Sequence, residues 1–242
     1  MSIWDYANPR RFMAFSGRVL PWAAGLATIL CGTGLVWGFF FTPEDFRMGH
    51  SVKIIYIHVP SAFIAINAWF MMLVASLIWL IRRHHVSALA ARAAAPIGLV
   101  MTVVALLTGA IWGKPMWGTY WEWDPRLTSF LILGLFYLGY IALWSAIEAS
   151  DQAADLTSIL CLVGTVFAVL SRYAAQFWNQ GLHQGASLSL DAEENVADIF
   201  WQPLVVSIAG FVTLFVALVL LRTRTEIRRR RLHALALRER MA

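Results

Sequence analysis

The stretch Ile54–Ile81, IIYIHVPSAFIAINAWFMMLVASLIWLI, runs for twenty-eight residues without a lysine, arginine, aspartate or glutamate. As a helix rising about 1.5 Å per residue it reaches about 42 Å, more than the roughly 30 Å of a bilayer's hydrocarbon core. Val19–Phe41 is equally free of charge. Working outward, the apolar runs predict spans near 19–41, 54–81, 93–112, 129–147, 156–174 and 203–221. A chain of 242 residues that is 60% hydrophobic and 14% charged is too apolar for an ordinary soluble domain. The expected fold class is all-α integral membrane, a six-transmembrane-helix bundle. Residues 1–242 read as a single polytopic membrane domain with no linker or clear repeat.

Orientation follows from the lysines and arginines. With both termini cytoplasmic, Arg10, Arg11, Arg18, Arg82, Arg83, Arg92 and eight arginines from Arg222 to Arg240 lie inside, fourteen in all. Only Arg47, Lys53, Lys114, Arg126 and Arg172 fall outside, so fourteen against five decides the topology. The location expected is a bacterial inner membrane. The net charge of +5 is clustered beside apolar helices, where it reads as a topology signal rather than a nucleic-acid footprint. Cys31 and Cys161 both fall in spans and belong to no Cys-x-x-Cys pair, which excludes thiol redox chemistry and covalent haem attachment as readings. Met1–Arg18 has no cleavable apolar core and is expected to be a retained cytoplasmic segment.

Between the spans lie a short loop at 42–53, a basic loop at 82–92, a Trp-rich loop at 112–128, a short loop at 148–155 and a polar stretch at 175–202. Thr42-Pro43-Glu44-Asp45 has the form of a helix start, with Thr42 as cap, and Asp124-Pro125 has the same form at the head of the fourth span. Asp191–Trp201 begins Asp-x-x-Glu and carries Val196, Ile199 and Phe200 on one side, as a short amphipathic periplasmic helix would.

The segment Trp112-Gly-Lys-Pro-Met-Trp117-Gly-Thr-Tyr120-Trp121-Glu-Trp123-Asp124 holds four of the twelve tryptophans within twelve residues. Indoles favour membrane interfaces, so an aromatic belt is one reading. The other is a platform for a large planar ligand, because the cluster sits in one segment shaped by Gly113, Pro115 and Gly118. Capping the fourth span is the first role for Asp124. His84, His85 and His233 sit among arginines and read as solvated flanks, and His50 has no supporting context. His58 enters the second span about a turn inside its outer boundary, where a polar ring needs a partner, and His183 follows the fifth span on the same side. Each is either a hydrogen-bonded structural residue or, as an opposed pair, the two axial ligands of a haem iron. Zinc lacks a set of three or four ligands. Lys114, Arg126 and Arg172 are candidates for haem propionates or plain interface cations. Gly109-Ala-Ile-Trp-Gly113-Lys114-Pro115 is one residue short of a phosphate loop and ends in proline, and no catalytic triad or carboxylate pair stands out, so an enzyme is not expected.

At these residues the chain resembles the tryptophan-rich haem-handling proteins of cytochrome c maturation, most closely the protein C family, CcmC. The resemblance rests on Trp112-Gly-Lys-Pro-x-Trp-Gly-x-x-Trp-x-Trp-Asp124 with Arg126-Leu-Thr-Ser129, on Tyr56-Ile-His-Val-Pro60 and on Trp178-Asn-x-x-Leu-His-Gln-Gly185, and it extends across all six spans. It implies non-covalent haem b at the periplasmic face, with His58 and His183 as axial iron ligands. It also implies that Trp112, Trp117, Trp121, Trp123 and Asp124 hold haem and dock a periplasmic haem chaperone, the E component. Further implied partners are the A and B components of an ABC transporter, a small membrane protein (the D component) and membrane lipid, with no nucleic acid. Tyr120 and Glu122 depart from the family's usual residues. Alternative functions are an electron-transfer b-type cytochrome, which would want histidine pairs at two depths, and a permease or scaffold half of an ABC transporter.

Overall fold

The structure, a computed structural model, describes residues 8–177 and 196–241. Among them are α1 (Pro9–Phe40), α2 (Ile55–Arg82), α3 (His85–Trp117), α4 (Pro125–Ala146), α5 (Ser150–Phe177) and α6 (Asp198–Met241), with a 3₁₀ turn at His50–Ile54 ahead of α2. All six helices are long and apolar enough to cross a membrane, and the protein is a multi-pass membrane protein. α1 lies along α6, α2 along α3 and α4 along α5, and α2 also touches α5 and α6.

In a bilayer, water cannot reward the burial of one apolar helix face on another, so close backbone approach and interhelical hydrogen bonds decide which helices pair. Small residues mark the α1–α6 and α3–α4 crossings. A Cβ on Gly34 of α1 would stand 2.6 Å from the Ser207 backbone nitrogen of α6, and one on Gly210 of α6 would stand 2.6 Å from the Cys31 nitrogen of α1. At the centre, Tyr137 of α4 crosses α3 where Gly98 leaves room and donates its hydroxyl to the Ala65 carbonyl of α2 at 2.7 Å. Trp69 of α2 packs edge-on against Tyr137 at 4.7 Å and donates to Thr165 Oγ1 of α5 at 3.2 Å. One buried cluster therefore ties four helices together.

Most of the arginines gather at one end of the bundle, and several tie helices there. Arg224 of α6 donates to the Met13 carbonyl and Ser16 hydroxyl of α1 at 2.6 and 2.9 Å. Arg222 Nε donates to the Ala93 carbonyl at 3.1 Å, and Arg92 pairs with Glu226 at 3.1 Å while lying over the Trp144 ring. Asp155 of α5 accepts from Arg83 and, at 2.9 Å, from Trp79 Nε1.

Three local expectations are corrected. The basic loop expected at 82–92 shrinks to Arg83 and His84, because the alanine-rich run after His85 is a strong helix former and the Arg92 charge is paired. His84 is no idle flank: its Nδ1 accepts from the Ser87 N–H at 3.0 Å and caps α3, and burial holds its pKa below the ordinary imidazole value, as an acceptor nitrogen requires. Thr42 starts no helix. Its hydroxyl donates back to the Gly38 carbonyl at 2.6 Å, and Asp45 instead organises a turn by accepting from the Arg47 and Met48 N–H groups, both at 2.8 Å. Ile199–Trp201 form the first turn of α6; Asp191 and Glu194 lie outside the described residues.

Gly210→Val should lower the detergent-solubilised thermal midpoint, an overpacking cost of about 1–3 kcal/mol. Gly25→Ala, where a Cβ meets nothing within 4 Å, should not lower it. Equal midpoints for the two variants would remove the α1–α6 approach as a stabilising contact.

Candidate functional site

The end of the bundle opposite the arginine ties holds a cavity of about 520 Å³. It is walled by the Asp45 and Met48 turn, by the His58–Phe70 face of α2, by Ala105, Gly109 and Trp112 of α3, by Arg126 and Phe130 of α4, by Arg172 of α5 and by the start of α6. The walls are mostly aliphatic and aromatic, with a few polar groups, the usual make-up of a site for a small organic molecule.

His58 projects into this space from the first turn of α2. Its Nδ1 lies 3.0 Å from the Ala105 carbonyl and 3.1 Å from Thr108 Oγ1, both on α3. That contact is the partner a polar ring at membrane depth demands. Close approach is possible because Gly109 carries no side chain: a Cβ there would stand 3.0 Å from His58 Cε1.

The Trp-rich segment is a loop only over residues 118–124. α3 continues through Pro115 to Trp117 and stops at Gly118, whose φ of +81° suits glycine and whose N–H caps the Lys114 carbonyl at 3.0 Å. Trp112 and Trp117 thus stand on a helix, 5.4 Å apart and nearly perpendicular, and both line the cavity. Gly113 makes room for the Trp117 indole, which a Cβ would meet at 3.0 Å. Trp121 and Trp123 form a second perpendicular pair at 5.5 Å that does not line the cavity. Trp123 is 76% exposed, whereas the Trp121 N–H is buried with no acceptor among the described residues. The structure therefore brings two of the four tryptophans to His58 and leaves two at the rim.

Asp124 is buried, and its carboxylate accepts from the Leu127 N–H at 2.6 Å with Pro125 at the first position of α4. Among the three cations considered from sequence, Arg126 and Arg172 line the cavity. Lys114 does not: its ammonium donates to the Gly118 carbonyl at 2.8 Å and lies over the Tyr120 ring. Sequence reasoning missed Thr108, Gly109 and Ala105, which carry no chemical signal until α3 is laid against α2. His183 and Trp178 lie outside the described residues. Among the described residues no three His, Cys, Asp or Glu side chains group as a metal site.

The capping geometry gives Asp124 a testable job. Asp124→Ala should cost about 1 kcal/mol of stability, measured as a lower thermal midpoint, and Asp124→Asn, which keeps an acceptor oxygen, should recover most of it. Equal losses in both variants would show that the charge, not the cap, matters.

The chain matches the family model CcmC, described as heme exporter protein C, over residues 2–238. It is 74% identical to heme exporter protein C of Rhodobacter capsulatus and 68% identical to that of Paracoccus denitrificans, in each case over the whole of both chains. Heme exporter protein C of Escherichia coli K12 is 41% identical over 91% of this chain and 89% of its own length. With a family model spanning nearly every residue and full-length relatives at this identity, the chain belongs to the CcmC family, the heme exporter protein C family.

Proposed function

We propose that this protein binds haem b at the periplasmic face, with His58 and His183 as axial ligands, and delivers it to a periplasmic haem chaperone in cytochrome c biogenesis. The observation that carries the reading is one cavity in which an imidazole, two indoles and two guanidinium groups meet apolar walls. Haem is cargo here: a flat apolar ring with an iron centre and two carboxylates. Each part finds a matching chemistry. His58 offers nitrogen to the iron, the α2 and α4 phenylalanines and Trp112 and Trp117 cover the porphyrin, and Arg126 and Arg172 suit the propionates. The second ligand, His183, and the docking of the chaperone on Trp121, Trp123 and Asp124 rest on the sequence resemblance. So does assembly with the A and B components of an ABC transporter and with the small D component.

The name of the relatives supports haem as the cargo, and an exporter's task breaks no bond in it. The placement of both termini in the cytoplasm follows from the arginine count, and it turns the cavity end toward the periplasm. Trp123, Tyr120 and Phe46 are exposed side chains at that end, open to contact with an acceptor protein.

Two experiments test this. The purified protein should show a low-spin b-type spectrum, and His58→Ala and His183→Ala should each lose most of the bound haem; unchanged haem content in both variants would sink the ligand assignment. Arg126→Gln or Arg172→Gln should weaken haem retention by about 10- to 150-fold, since a charge-assisted hydrogen bond contributes about 1.5–3 kcal/mol. Retention of the haem dimethyl ester, which has no propionate charge, should be insensitive to either change; equal weakening for haem and ester would rule out a propionate role.

A further inference from the structure

The contacts of His58 hold more than its position. The Ala105 carbonyl 3.0 Å from Nδ1 can only accept a hydrogen bond, so Nδ1 carries the proton in that contact. Thr108 fits the same assignment: with its hydroxyl donating back along α3 to the Val104 carbonyl at 2.7 Å, its oxygen is left to accept from Nδ1 at 3.1 Å. Two acceptors on one ring nitrogen select the Nδ1–H tautomer, which leaves Nε2 as the basic nitrogen of the ring. Gly109, with no Cβ to push Cε1 away, lets the imidazole lie against α3 closely enough for both contacts.

We infer that Thr108 is a positioning residue for haem binding: together with the Ala105 carbonyl it fixes His58 as the Nδ1–H tautomer and raises the basicity of Nε2. This rests on the reading of His58 as an iron ligand. Hydrogen bonds donated by the far nitrogen of a ligating histidine orient the ring and make it a stronger donor, and their loss typically costs about 10–100-fold in affinity. A more basic imidazole favours the ferric over the ferrous state, so the hydroxyl of Thr108 also lowers the reduction potential of bound haem. A threonine bonded back to its own helix turn is common in membrane helices and by itself structural; the cross-helix contact at 3.1 Å is what gives this one a second task.

The test has one arm without haem and one with it. In the apoprotein labelled with ¹⁵N-histidine, the His58 resonances should report a protonated Nδ1 and an unprotonated Nε2; the opposite tautomer would overturn the inference. In the haem-loaded protein, Thr108→Val, which keeps the shape and removes the hydroxyl, should shift the midpoint potential to more positive values and weaken haem retention about tenfold. Thr108→Ser should restore both, and all three proteins should melt alike. Wild-type potential and retention in Thr108→Val, with haem lost in His58→Ala, would defeat the inference alone. Full haem retention in His58→Ala would defeat the ligand reading and the haem half of this inference with it.

Discussion

The close seating of α2 on α3 is the contact on which the site depends. Ala105 and Gly109 present a methyl and a hydrogen to α2, and the two backbones come near enough for an imidazole on one helix to reach a main-chain carbonyl on the other. In hydrocarbon such a contact is close to obligatory, because an unpartnered ring nitrogen there has no water to turn to. The same seating points the far side of the ring into the cavity. A bulkier residue at 109 would press on the His58 ring, whose Cε1 a Cβ already meets at 3.0 Å.

The two ends of the bundle solve different problems. At the arginine end, cations are bound to carbonyls, carboxylates and an indole face, and these contacts hold α1, α3 and α6 together. At the other end the helices part around a space lined with two arginines, and the aromatic residues are divided between wall and rim. The midsection joins the two. Tyr137 and Trp69 bridge four helices through hydrogen bonds and edge-to-face contact, and glycines at 98 and 164 make the room for them. A tight centre allows one end to stay open, which a binding cavity requires and helix packing alone opposes.

The tryptophan segment shows how one stretch serves two purposes. Its first half is the last turns of α3, a rigid mount for Trp112 and Trp117. Its second half, beyond Gly118, is a loop ended by the Asp124 cap. Lys114, placed between them, closes the end of α3 and is withdrawn from the cavity, whereas Arg126 and Arg172 reach it from α4 and α5. Under the proposed function, the helical pair would cover the porphyrin and the loop pair would meet the acceptor.

Much of this was written into the chain. Long uncharged runs such as Ile54–Ile81 dictate membrane helices, because backbone polar groups in hydrocarbon must be paired within the segment. The Asp124-Pro125 start of α4 is equally legible, since a helix cap is a local feature. One local reading failed where packing intervened: Arg92 made a helical stretch look like a loop, and in the fold Glu226 pairs with it. Lys114, open in the sequence between a propionate partner and a plain interface cation, is held by its own helix end. Tertiary structure alone decided which cations face the cavity, which two of four indoles stand beside His58, and that Ala105, Thr108 and Gly109 hold that ring. The reason is physical. Sequence spacing fixes a residue's face on its own helix, but a contact between residues 58 and 108 depends on the register and distance of two helices, and those are set by the packing of the whole bundle.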